Sequence, residues 1–136
     1  MKFNRIVETC IYSSNLEEMK RFYINYLGLH LVSEEKGRHV FLKAGKSMLL
    51  IFNPENTLNN SNSIFPKHGA ITPPSILHFA FEIKKEDYEN WKNLLQKKKI
   101  SIDKELEMRN SKSIYFHDPS GNIVELITDN FWPIEC

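Results

Sequence analysis

The apolar positions of this chain run through the same succession of periods twice. Ile6 to Tyr12 is rich in β-branched and aromatic residues and reads as a strand. Ser14-Asn15-Leu16-Glu17 fits a capping box, with Ser14 as N-cap and Glu17 at the third helical position. Leu16, Met19, Tyr23, Tyr26 and Leu27 follow at helical spacing with Phe22 beside them, and Gly28 is the stop. Three short strands are expected next, Leu29 to Ser33, His39 to Lys43 and Ser47 to Asn53, with turns at Lys36-Gly37 and Ala44-Gly45-Lys46.

From Leu77 the grammar repeats. Leu77 to Ile83 reads as a strand, and Glu86 to Lys97 as a helix that buries Tyr88, Trp91, Leu94 and Leu95. Further strands are expected near Ile100 to Ile102 or slightly later, at Ser113 to Phe116 and at Ile123 to Thr128. Glu8 and His78 take the same place in the two first strands, and Gly45 and Gly121 mark corresponding turns. The reading is an α+β fold of two βαβββ modules within one domain, 1–136: module one 4–53 and module two 76–130. Between them, residues 54–75 are rich in asparagine and proline, which favours turns and loop. A segment of this length is a linker or a functional lid, with Phe65 and Ile71 available to anchor it.

Composition narrows the function classes. The 136 residues are 41% hydrophobic and 26% charged, as expected of a globular protein. A formal net charge of +1 gives no electrostatic footprint for nucleic acid or an anionic membrane. Lys97-Lys98-Lys99 stands where a helix ends and is accounted for by the helix dipole. No apolar run is long enough to span a membrane, and the N-terminus lacks a signal-peptide pattern. Cys10 and Cys136 form neither a disulfide framework nor a zinc spacing, so a reduced cytoplasmic protein is expected.

The densest chemical signal is Asp118-Pro119-Ser120-Gly121-Asn122 followed by Ile123 to Thr128. The first five residues make a tight turn, and the strand behind it carries one carboxylate. With a period of two, Glu125 shares its face with Ile123 and Ile127. A carboxylate between two isoleucines must be solvated, paired or bound to a metal. Glu8 is likewise an acid on a face with Ile6, Cys10 and Tyr12, and His78 faces with Ala80 and Glu82.

Glu8-Thr9-Cys10-Ile11-Tyr12, Arg21-Phe22-Tyr23 and Tyr26-Leu27-Gly28-Leu29 together resemble the first module of the vicinal oxygen chelate superfamily. Leu77-His78-Phe79-Ala80-Phe81 and Phe116-His117-Asp118 through to Leu126 are similar to its second module. That superfamily includes glyoxalase I, extradiol dioxygenases, bleomycin-binding proteins and fosfomycin-resistance enzymes. The resemblance implies curved mixed sheets around a cleft, a divalent metal in that cleft, and a homodimer. It places metal ligands at Glu8, His78 and Glu125, with Glu8 and Glu125 also as catalytic acid–base candidates. The fourth ligand position falls near Leu49 or Leu50, which cannot ligate. Three ligands match the fosfomycin-resistance and dioxygenase branches in position, although Glu8 stands where those carry histidine. No counterpart of the fosfomycin enzymes' basic cluster follows Glu125.

One imidazole and two carboxylates suit Zn, Mn, Ni or Fe as divalent ions and leave positions open for substrate. Arg38, beside His39, is a candidate for binding an anionic substrate, and His68 for closing over it. Cys10 reads as a small apolar residue, His117 as facing outward, and the facing of Tyr115 is left open. The expected function is a metal-dependent lyase, isomerase or dioxygenase acting on a small oxygen-chelating substrate. The alternatives are a metal-free, bleomycin-type binding protein and an antibiotic thiol transferase.

Overall fold

The structure, a computed structural model, describes residues 1–2, 4–59, 66–69, 77–129 and 131–132. The chain divides into two compact units, residues 1–75 and 76–136. Phe65, Ile71 and Cys136 lie outside the described residues.

In unit one, β1 (Glu8–Tyr12) leads into α1 (Leu16–Lys20), which continues as a wider π-helical segment over Arg21–Tyr26. β2 (His30–Glu35), β3 (His39–Ala44) and β4 (Ser47–Phe52) follow, then a short helix, α2 (Pro54–Asn59). The sheet order is β1-β4-β3-β2, with β1 parallel to β4 and the other pairs antiparallel. In unit two, β5 (His78–Ile83) precedes a 3-10 turn at Lys85–Asp87 and α3 (Tyr88–Lys97). β6 (Lys104–Met108), β7 (Ser111–His117) and β8 (Ile123–Thr128) complete a sheet of order β5-β8-β7-β6, again with one parallel pair, β5 with β8. Both halves are therefore βαβββ modules of α+β class, as the repeat implies. Among the described residues no helix is long and apolar enough to cross a membrane.

Alternation decides which face of each sheet is packed. In unit one Ile11, Val40, Leu42, Leu49 and Ile51 are all buried, together with Leu16, Met19, Phe22 and Tyr23 of the helix. In unit two Val124, Leu126, Ile114 and Phe116 are buried with Tyr88 and Leu95 of α3. Tyr88 donates to Glu105 at 2.7 Å and Lys92 pairs with it at 3.0 Å, fixing α3 across β6 on that face.

Two local expectations are corrected. The N-cap of α1 is Asn15, not Ser14: its Oδ1 accepts from the Glu18 N–H, and its Nδ2 donates to the Glu18 carboxylate. The capping box is thus displaced by one residue, because the buried Ser13 hydroxyl accepts the Asn15 N–H and turns the chain one step later. Residues 54–59, expected as loop, are helical: Pro54 suits a first helical position, and Asn53 Oδ1 accepts from the Glu55 N–H. The strand expected near Ile100 to Ile102 or slightly later begins at Lys104.

Candidate functional site

The site in unit two is set by the turn between β7 and β8. Asp118 Oδ1 accepts the N–H groups of Ser120 and Asn122, and Oδ2 accepts from the Asn122 side chain at 2.7 Å. The Asp118 N–H and Asn122 carbonyl close the loop at 3.0 Å, with Gly121 at φ 82. Asp118 and Asn122 are 5% and 2% exposed, so the turn is built around a buried, fully engaged carboxylate. Its length fixes the ladder that follows: His117 faces Ile123, Phe116 faces Val124, and Tyr115 faces Glu125. On the other side of β8, Ala80 faces Glu125 and His78 faces Ile123.

That register places His78, Tyr115 and Glu125 on the sheet face turned away from α3. His78 Nε2 donates to Glu125 Oε2 at 2.9 Å, and the Tyr115 hydroxyl donates to Glu125 Oε1 at 2.7 Å. The side chain of Glu125 is 8% exposed and that of His78 is 52% exposed. The carboxylate is therefore held at the floor of the face, with the imidazole at its rim. Burial, then the hydrogen bond to Glu125, raises the Tyr115 hydroxyl pKa, so Tyr115 remains a donor at neutral pH. His117 is exposed on the same face and hydrogen-bonds Asp103.

Unit one presents the matching face with different chemistry. Glu8, Cys10 and Tyr12 line one side of it, beside Met48, Leu50 and Phe52 of β4. Glu8 opens β1 as His78 opens β5, and is exposed. Leu50 faces Cys10 and Phe41, as Glu125 faces Ala80 and Tyr115. Leu50 therefore takes the place in unit one that Glu125 takes in unit two; Leu49 lies on the packed face with Leu42. His68 Nδ1 and the Tyr12 hydroxyl are joined at 2.7 Å, and the His68 ring stands edge-on to Phe52 at 4.7 Å. Gly69 allows this because a side chain there would collide with Leu58 of α2. Burial, followed by Glu8, raises the Cys10 thiol pKa, which keeps it protonated and unreactive. Arg38 lies in the β2–β3 turn with its guanidinium 2.9 Å from Glu35.

Of the residues singled out in the sequence, the structure joins His78 to Glu125 directly and seats His68 on Tyr12. Arg38 is engaged by Glu35. Within neither unit do three His, Cys, Asp or Glu side chains gather among the described residues. Tyr115 is the participant the sequence left open; the length of the Asp118 turn, counted back from Glu125, is the signal that fixes its facing.

The sequence profile of the Glyoxalase/Bleomycin resistance protein/Dioxygenase superfamily matches residues 3–126. The chain belongs to that superfamily. It is 30% identical over 117 residues to metallothiol transferase FosB of Staphylococcus haemolyticus, covering 85% of this chain and 76% of the relative. Metallothiol transferase FosB of Staphylococcus epidermidis is 30% identical over 132 residues, covering 94% of this chain and 84% of the relative. Among solved structures, a lactoylglutathione lyase from Agrobacterium tumefaciens superposes with a TM-score of 0.89 at 33% identity, covering 98% of this chain and 100% of that one.

Proposed function

We propose that this superfamily member is a divalent-metal-dependent enzyme acting on a small oxygen-chelating substrate, with His78, Glu125 and Glu8 as protein ligands. The observation that carries the reading is the 2.9 Å contact between His78 Nε2 and Glu125 Oε2. His78 Nε2 and Glu125 Oε2 would together hold a Zn, Mn, Ni or Fe ion in place of the Nε2 proton, since imidazole nitrogen and carboxylate oxygen are donors such ions take. An ion held there would supply Lewis-acid polarisation of a substrate oxygen.

The chain's own residues divide the remaining work. Glu125 has both oxygens engaged, so it holds its place and moves no proton. Glu8, exposed at the head of β1, is the carboxylate free to exchange an ion for a proton and is the general base. His68, braced by Tyr12 and Phe52, is assigned to substrate contact. Arg38 joins only by exchanging Glu35 for a substrate anion.

Among lyase, isomerase, dioxygenase and thiol-transfer chemistries, thiol transfer to a small electrophile is favoured. The relatives at 30% identity are named metallothiol transferases, and Leu50 limits the donor set to three. In that reaction Glu8 takes the thiol proton as sulfur bonds to the electrophilic carbon, and returns it to the departing oxygen. Two chains forming a homodimer in a reducing cytoplasm complete the reading. One observation favours a metal-free binding protein instead: Glu125 is already satisfied by His78 and Tyr115.

Titration of chelator-stripped protein with Zn²⁺, Mn²⁺, Ni²⁺ and Fe²⁺, followed by calorimetry, decides between the two. Wild type is expected to take up one equivalent of ion, His78→Ala and Glu125→Gln to lose it, and Glu8→Gln to bind at least tenfold more weakly. Loss of free thiol in the presence of an oxygen-bearing electrophile then reads the reaction. Absence of ion uptake by wild type overturns the enzyme reading and leaves the sequestering one.

A further inference from the structure

Resting on the metal-site reading above, we infer that Tyr115 is a positioning residue. Its hydroxyl holds Glu125 Oε1 so that Oε2 alone, beside His78 Nε2, is presented to an ion. The carboxylate lies on β8 and is gripped from both neighbouring strands, by Tyr115 of β7 at 2.7 Å and by His78 of β5 at 2.9 Å. Two short bonds to different oxygens fix the rotation of the carboxylate about its last torsion, a broad torsion that packing alone leaves loose.

The internal repeat separates this role from a merely structural one. At the same place in unit one, Phe41 faces Leu50 across the same kind of strand pair. An aromatic ring therefore meets the packing needs of that position without a hydroxyl. The hydroxyl is present in the half that carries a carboxylate and absent in the half that carries leucine. Its presence follows Glu125 and not the fold.

One-oxygen presentation has a chemical consequence. A carboxylate free to turn would offer both oxygens to an ion and take up a position that substrate needs. Groups that orient a ligand in this way change affinity by about 10–100-fold when removed. Tyr115→Phe is the informative variant, because Phe41 demonstrates that the ring suffices for the sheet.

The test is Mn²⁺ titration of chelator-stripped wild type, Tyr115→Phe, Glu125→Gln and the double variant, read by paramagnetic resonance of the bound ion, with circular dichroism as a check of folding. Tyr115→Phe is expected to bind about tenfold more weakly and with a changed spectrum, while in the Glu125→Gln background it adds nothing. Equal affinity and an identical spectrum in Tyr115→Phe, with wild type binding normally, overturn the inference and leave the metal-site reading standing. A weaker uptake that merely tracks lost folded protein, with an unchanged spectrum per bound ion, overturns it too. No Mn²⁺ uptake by wild type overturns both.

Discussion

The fold of unit one lowers the pKa of His39. Its ring stacks on Phe41 at 4.1 Å with an interplanar angle of 22°, and its Nε2 lies 3.3 Å from the Ser33 hydroxyl. Burial lowers its pKa first and the neighbouring Arg38 lowers it further, while Glu35 pushes in the opposite direction. The folded pKa thus lies below the 6.5 of the unfolded chain, so near and below that pH the unfolded state binds more protons. Stability from this residue is present above about pH 6.5 and declines as pH falls through that value. His39→Phe should keep the aromatic contact and remove this acid sensitivity. Urea midpoints measured between about pH 7.5 and 5 should converge for the two proteins towards neutrality and diverge in acid. Parallel curves would contradict it.

At the scale of elements, capping gives the sharpest contrast. Asn15 and Ser14 are both exposed and both plausible caps by composition, but Asn15 makes the two bonds to Glu18. Asn15→Ala should cost about 1 kcal/mol, and Ser14→Ala less than about 0.5 kcal/mol, by chemical denaturation. A larger effect at Ser14 would return the cap to the position its spacing suggested. The same comparison shows what made elements legible. β8 was readable to the residue because a five-residue turn with a buried Asp118 fixes where it starts. β6 was not, since Lys104–Met108 is an edge strand with Leu106 and Met108 as its apolar residues, and its β7 hairpin turns through Arg109 and Asn110 at positive φ. His78 and Glu125 were legible as polar residues on apolar strands. Tyr115 was not, because tyrosine is at home on any strand and only register says which way its hydroxyl points.

For the whole molecule, the repeat is a hypothesis about interchangeable halves, and Leu50 is where it can be tested without any ligand. Leu50 and Phe41 occupy the places of Glu125 and Tyr115, and Leu50 is 8% exposed. Leu50→Glu puts a carboxylate into that place with no hydroxyl opposite, a change that costs about 3 kcal/mol when a buried charge lacks a partner. Phe41→Tyr alone introduces a hydroxyl beside leucine and should be mildly destabilising. Combined, the two rebuild the pair found in unit two, and a hydrogen bond to a charged group contributes about 1.5–3 kcal/mol. The double variant should therefore be more stable than the sum of the single changes by about 1–2 kcal/mol. Urea denaturation of the four proteins measures this coupling, and amide exchange shows whether the loss is confined to residues 1–75. Simple additivity would mean that the two sheets share topology but not the local geometry that lets a tyrosine reach across to a carboxylate. Positive coupling would mean that the difference between the halves at this place is one of two side chains on a shared frame.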